Sequence, residues 1–276
     1  MRKLGTLVST LLIFALTVVL VAGCGSSGSS TGGGGGGSGG STGSGGAGGK
    51  QVKVASDIAY QPFEFTKNGK TVGFDVDLMR EIGKRANFKP QFQNVTFDGI
   101  IQGLGSGLYD TAISAMTITP EREKQIDFCK PYFNADQSLM VQKGSKIKST
   151  NDLSGKTVGV QIGTTGAMEA NKLKKSGKVG QVRTFDTITD AFAALENGQV
   201  DAIINDFPVS GYRAKTSNGS LVIVQTIPTG EQYGIAFPKN SELLKPANKA
   251  LAEIKKDGTY AKLYEKWFGQ KPKNIP

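Results

Sequence analysis

The sequence of 276 residues contains no histidine and only two cysteines. Without histidine the commonest general base and metal ligand is missing, and the two cysteines do not have the spacing of a zinc site. Metal-dependent and histidine-based catalysis are therefore disfavoured, and no metal, cofactor or catalytic residue is assigned. Charge is absent from the tract 25–49, and nowhere is a basic run interleaved with aromatics. The lysines are scattered among acidic residues, so the formal charge of +10 reads as a solvated basic surface rather than a nucleic-acid footprint.

The amino-terminal end is richer in signal. Arg2 and Lys3 precede an apolar run from Leu7 to Val21 that ends in small residues, which is the form of a signal peptide and is short for a membrane span. Leu20-Val-Ala-Gly-Cys24 resembles the lipobox of bacterial lipoproteins. Residues 1–23 are thus expected to be cleaved and Cys24 to take lipid. Loss of Arg2 and Lys3 lowers the formal charge from +10 to +8. Residues 24–50 then form a lipidated, Gly/Ser-rich tether, whose random-coil span is roughly 25 to 30 Å. The expected location is the extracytoplasmic face of a membrane, lipid-anchored. Cys129 is left without a disulfide partner and is expected to be a small buried apolar residue.

Within 51–276 the pattern alternates strands and helices. Val52–Ser56 reads as an apolar strand, followed by Asp57 and the aromatic-rich Tyr60-Gln-Pro-Phe-Glu-Phe65. A helix is expected from about Asp75 to Ala86, because Met79, Ile82 and Ala86 share a face. A strand at about Pro90–Asn94 precedes Phe97 and a helix capped by Asp98. Leu104-Gly-Ser-Gly-Leu-Tyr-Asp110 then has the spacing of Leu195-Glu-Asn-Gly-Gln-Val-Asp201, each leading into an apolar strand. Two similar lobes would explain this echo, and so would chance. Further strands are expected at 138–142, 157–161, 221–225 and 233–238, and helices at about 167–174 and 242–256, before a last helix carrying Tyr260, Tyr264, Trp267 and Phe268 as core aromatics.

The stretch Asp110–Pro131 carries the chemistry. After a small-residue strand come the hydroxyls of Ser114, Thr117 and Thr119, and then Arg122 in the first turn of a Pro-started helix. A guanidinium matches a carboxylate two-on-two, and hydroxyls and amide N–H groups can take the remaining lone pairs. The same arrangement also suits an ordinary helix-surface arginine. Gly163-Thr-Thr-Gly166 opens a helix and can receive an anion at its free N–H groups, but it lacks the Gly-Lys-Ser/Thr ending of a phosphate loop.

Over Val52–Gly269 these blocks resemble family 3 of the bacterial extracellular solute-binding proteins, the group that serves polar amino-acid ABC importers and includes the glutamine-binding proteins. The resemblance rests on Asp57-Ile-Ala-Tyr-Gln-Pro-Phe-Glu-Phe, Val72-Gly-Phe-Asp-Val-Asp-Leu, Phe97-Asp-Gly-Ile-Ile, Met116-Thr-Ile-Thr-Pro-Glu-Arg, Gly163-Thr-Thr-Gly, Asn205-Asp-Phe-Pro and Gln232-Tyr-Gly-Ile-Ala-Phe-Pro-Lys. It implies an α/β, two-lobed periplasmic-binding-protein-like fold of type II. Lobe 1 would comprise 51–133 and 231–276, lobe 2 would comprise 134–230, and the chain would cross near Tyr132–Gln137 and Pro228–Gln232. It also implies roles. Arg122 would clamp a free amino acid's α-carboxylate with the N–H groups of Thr117 and Thr165. Asp206 would hold the α-ammonium with the Thr117 hydroxyl and the Ala115 carbonyl. Tyr60 and Phe97 would sandwich the side chain, with Asp57, Gln161 and Asn205 near its far end, and Ser114, Met116 and Thr164 complete the ligand set.

Where glutamine-binding proteins carry a lysine and a histidine near the ligand side chain, this sequence has Gln161 and Asn205. With Asp57 the one charge at that end, acidic ligands meet repulsion, whereas arginine or lysine would pair with it. The expected ligand is thus a basic amino acid, with glutamine next. Expected partners are an ABC permease with its ATPase subunits and a membrane, for a monomer. Two competing functions remain: a cyclohexadienyl-dehydratase-like enzyme, for which no spare proton donor is evident, and an amino-acid-sensing module.

Overall fold

The computed structural model describes residues 49–276. The leader, Cys24 and the body of the tether lie outside the described residues. The chain enters through the apolar strand β1 (Lys50–Ser56). The short strands β2 (Ala59–Tyr60), β3 (Glu64–Lys67) and β4 (Lys70–Val72) then form a small antiparallel sheet turned at Asn68-Gly69. Helix α1 (Phe74–Arg85) buries Leu78, Met79 and Ile82, the stripe its spacing requires. Next come β5 (Phe88–Asn94), α2 (Ile100–Gly105), β6 (Thr111–Ala112), α3 (Pro120–Glu123) and β7 (Ile126–Phe128). Strand β8 (Phe133–Gln142) carries the chain into the second lobe. That lobe is built from β9 (Thr157–Gln161), α4 (Thr165–Lys175), β10 (Gln181–Phe185), α5 (Ile188–Glu196), β11 (Ala202–Asp206) and α6 (Phe207–Thr216). Strand β12 (Leu221–Tyr233) returns, and β13 (Ala236–Pro238), α7 (Leu244–Lys256) and α8 (Thr259–Phe268) finish in lobe 1.

Each lobe holds a five-stranded sheet, ordered β5-β1-β6-β13-β7 in lobe 1 and β10-β9-β11-β8-β12 in lobe 2. The plans match. In each, the first strand lies parallel to its two neighbours and an antiparallel strand follows. The sequence echo is the reason the two sheets start alike. Asp110 accepts the Lys53 N–H at 2.7 Å and returns its own N–H to the Lys53 carbonyl at 3.0 Å. Asp201 does the same with Thr157, at 2.8 Å in both directions. Gly107 and Gly198 precede them at φ 73° and 70°, the left-handed conformation that ends α2 and α5.

The two crossings are one antiparallel ribbon, pairing Phe133 with Tyr233, Asn134 with Gln232 and Ala135 with Glu231. Its register slips between Ile227 and Glu231. Asp136 spans the gap, accepting the N–H groups of Thr229 and Gly230 at 2.9 Å each. A bulge of this kind lets two paired strands bend without losing their buried donors.

Lobe 1 is consolidated by α8. Phe268 packs 5.5 Å from Phe63, and Tyr264 stacks on Phe133 at 5.6 Å. These contacts are worth about 0.5–1.5 kcal/mol each beyond area burial. Cys129 is buried beneath this layer, its Sγ accepting the Ile235 N–H at 3.2 Å, and burial pushes its thiol up to about 12. Among the described residues no helix is long and apolar enough to cross a membrane.

Candidate functional site

The carboxyl ends of the strands face the cleft, where α/β sheets bind ligands. Nine residues line a small cavity there, among them Tyr60, Phe97, Thr117, Arg122, Thr165 and Asp206, with Ser114, Ala115 and Thr164 completing the wall. Its volume is ≈ 10 Å³, about the room one water needs. The lobes are closed on one another, and an amino acid enters only when they part. Larger grooves of ≈ 610 Å³ behind the hinge and ≈ 970 Å³ beside α4 are open to solvent, and neither sets a buried acid against a buried base.

Arg122 is buried, so it is not an ordinary surface arginine. Thr119 caps α3 by accepting the Arg122 N–H at 3.3 Å, which fixes the direction of the side chain. Nη1 donates to the Thr117 carbonyl at 2.6 Å, Nη2 to the Gly163 carbonyl of lobe 2 at 3.0 Å, and the guanidinium lies over Phe97 at 5.3 Å. A guanidinium has five N–H donors, so three remain for a ligand. Burial lowers its pKa, and the charges of Asp206 and Glu231 oppose that shift.

Asp206 ends β11 at the opposite wall and accepts from Tyr60 Oη at 2.9 Å, from Tyr233 Oη and from Gln137 Nε2. Its carboxyl is pushed up to about 6 by burial first and by the Glu231 charge second. Tyr60 Oη also lies 2.9 Å from Asn205 Oδ1, so the single proton of one lobe 1 tyrosine is shared between two acceptors of lobe 2. Asp57 is also pushed up to about 6 by burial, with Asp98 adding to the shift and the Gln161 amide opposing it. Gln161 Nε2 bonds both Asp57 Oδ2 and the Asp186 carbonyl, which makes a second clasp between the lobes.

The remaining expected residues fall into two groups. Thr164 lines the wall as the cap of α4, bonded to the Gln161 carbonyl at 2.7 Å and to the Ala167 N–H at 3.1 Å. Ser114 and Ala115 line the cavity, with the Ser114 hydroxyl and the Ala115 N–H engaged away from it. The Ser114 hydroxyl accepts the Asp57 N–H and donates to Glu64, and the Ala115 N–H donates to Asp75. Met116 is not among the lining residues; its side chain lies in the lobe 1 core and its carbonyl accepts the Gly234 N–H at 3.0 Å. Tyr60 and Phe97 share the cavity, although Phe97 is already stacked under Arg122.

Three residues were missed by sequence reasoning: Gln137, Glu231 and Tyr233, all on the crossing ribbon. Glu231 Oε2 accepts from Thr165 Oγ1 at 2.7 Å, Thr117 Oγ1 at 2.9 Å and Gln137 Nε2 at 3.1 Å. The hydroxyl of Thr117, expected to meet a ligand ammonium, is thus engaged by a carboxylate of the hinge. The signal available was the location of the crossings, since side chains there face both lobes.

Residues 52–270 match the bacterial extracellular solute-binding proteins, family 3. The chain belongs to that family. Among solved structures, this solute-binding protein is similar to an ancestral arginine-binding protein bound to arginine, at 48% identity and TM-score 0.75 over 79% of this chain and 98% of the other. It is also similar to the arginine-, lysine-, histidine-binding protein ArtJ from Geobacillus stearothermophilus, at 41% identity and TM-score 0.76, covering 81% and 97%. The glutamine-binding protein GlnH of the Bacillus subtilis ABC transporter is 34% identical over 269 residues, 96% of this chain and 97% of GlnH. The fold is the two-lobed type II architecture of these proteins, and the chain is a binding protein, not an enzyme.

Proposed function

We propose that this solute-binding protein captures a free basic L-amino acid, arginine or lysine, and hands it to an ABC permease with its ATPase subunits. It does so as a monomer anchored through lipid on Cys24 at the extracytoplasmic face of the membrane. The observation that carries the ligand class is the set of buried charges at the closed cleft. Arg122 and Asp206 both line the cavity, and Asp57, outside the lining, is a further buried acid bonded across the lobes by Gln161, with Asp98 near it. A basic amino acid presents the complementary set: carboxylate to Arg122, α-ammonium to Asp206, and side-chain cation to Asp57, with its stem against Tyr60 and Phe97. Removing either clamp strands a buried charge, at about 2–5 kcal/mol.

Closure follows from the same contacts. Arg122 and Asp206 belong to different lobes, so the ligand has higher affinity for the shut state and shifts the population toward it. The named ligands of the arginine-binding relatives favour the same class. Glutamine ranks second, because a carboxamide can bond Asp57 and Gln161 without supplying a charge. Calorimetric titration of the delipidated protein with each common amino acid tests the reading. Arginine or lysine is expected to bind tightest, and tightest binding to glutamate would overturn the role of Asp57.

A further inference from the structure

Behind the ligand wall lie two acids that no clamp uses. Glu64 at the start of β3 and Asp75 in the first turn of α1 are both fully buried, at 0% exposure. They are brought together by Gly73, which sits at φ 142° and lies so close to the Phe63 carbonyl oxygen that a Cβ would be 1.9 Å from it. Only glycine permits that approach. Glu64 Oε1 accepts from Ser114 Oγ at 2.9 Å, and Asp75 Oδ2 accepts from the Ala115 N–H at 2.8 Å and from Tyr132 Oη at 2.6 Å. Each acid keeps one buried oxygen with no hydrogen-bond partner, Glu64 Oε2 and Asp75 Oδ1, and the two carboxyls are close enough that each shifts the other's proton affinity. Two neighbouring carboxyls buried without a cation are relieved by one proton between them.

We propose that Glu64 and Asp75 share a single proton at neutral pH, and that this protonated acid pair, with no cation, positions the Ser114–Ala115 wall of the ligand site. The groups facing the pair are Asp57, Tyr60, Tyr132, Cys129 and Tyr260, each an acid or a neutral hydroxyl or thiol. Among the described residues no lysine or arginine offsets a second negative charge there. The pair titrates as one unit, so the shared proton belongs to the pair and not to either residue.

The loop needs such a hold. Ala115 sits at φ 44°, a left-handed conformation that costs a non-glycine residue about 1–2 kcal/mol, and the bond from its N–H to Asp75 helps to keep it there. Ser114 links the pair onward to the Asp57 backbone N–H at 3.0 Å. Glu64 and Asp75 are therefore positioning residues: loss of the shared proton sets two like charges against each other and pushes this wall out of register. The effect on affinity rests on the amino-acid-binding reading, whereas the proton itself does not.

Infrared difference spectroscopy of the full protein reads the proton directly. The wild type at pH 7 is expected to show the carbonyl stretch of a buried protonated carboxylic acid, and E64Q is expected to lose it. A glutamine at this position can still accept from Ser114 and donate to Asp75, so E64Q is expected to recover most of the arginine affinity that E64A loses, on the order of tenfold. Circular dichroism confirms that both variants are folded. Absence of the protonated band in the wild type, or an E64Q affinity as poor as that of folded E64A, would overturn the proposal. A wild type that shows the band and binds no amino acid would instead defeat the transport reading and leave the shared proton standing.

Discussion

Lowering the pH from 7 to 5 should loosen ligand binding by an amount that depends on how many cationic ends the ligand has. Asp206 and Asp57 are both pushed up to about 6 by burial, and each must be ionised to hold a cation. A group with that pKa is about nine-tenths charged at pH 7 and about one-tenth at pH 5, so each one costs about tenfold in affinity, or about 1.4 kcal/mol. On the proposed reading arginine draws on both acids and should lose about a hundredfold across the interval, whereas glutamine draws on the charge of Asp206 alone and should lose about tenfold. At pH 6 arginine binding should release about one proton in all, and at pH 8 almost none. Stability of the ligand-free protein runs the other way. These acids sit at about 6 when folded against the ordinary 3.8 of an aspartate, so the native state binds more protons between those values, and their contribution to stability falls as pH rises through that window. Calorimetry in buffers of different ionisation enthalpy measures affinity and proton release together. Glu231→Gln removes one cause of the Asp206 shift and should move its part of the acid limb to lower pH. Arginine affinity that stays level from pH 5 to 7 with no proton released would refute the reasoning.

Arg122→Lys keeps the charge and removes the fork that spans the Thr117 and Gly163 carbonyls. Affinity should fall by about 1.5–3 kcal/mol in the same calorimetric assay, and an unchanged value would mean that the guanidinium geometry is not used. Asp201→Ala removes the bond to the Thr157 N–H at the base of lobe 2, far from the cleft. It should destabilise by about 1 kcal/mol, seen as a fall in Tm of about 2–4 °C, with arginine affinity nearly unchanged.

What could be read from the sequence was local. The helical stripe of α1, the paired Gly-x-x-Asp turns and the aromatic face of α8 each follow from spacing within a few residues, and the burial of Cys129 from its having no disulfide partner. The return crossing was harder. The expected strands are 221–225 and 233–238, with Pro228 and Gly230 between them, yet β12 runs unbroken from Leu221 to Tyr233. Both residues sit where the register slips, and there a proline and a left-handed glycine cost no ladder bond. The site divides along the same line. Arg122 and Asp206 were recognisable because motifs surround them, while Gln137, Glu231 and Tyr233 matter only through pairing between strands nearly a hundred residues apart, as the Gln137–Glu231 bond illustrates. Met116 has its side chain and carbonyl in the core, which its neighbours in the motif do not reveal.

Both β1 and α8 belong to lobe 1, and only the β8–β12 ribbon connects lobe 2 to it. Severing that ribbon at its two strands would excise lobe 2 as a single cassette. The cassette would carry Gln161, Thr165, Asn205 and Asp206, and the acceptor would keep Asp57, Tyr60 and Arg122. Half of the proposed recognition surface could thus be transplanted between relatives as one insert, with the carboxyl-terminal helices of the recipient left in place.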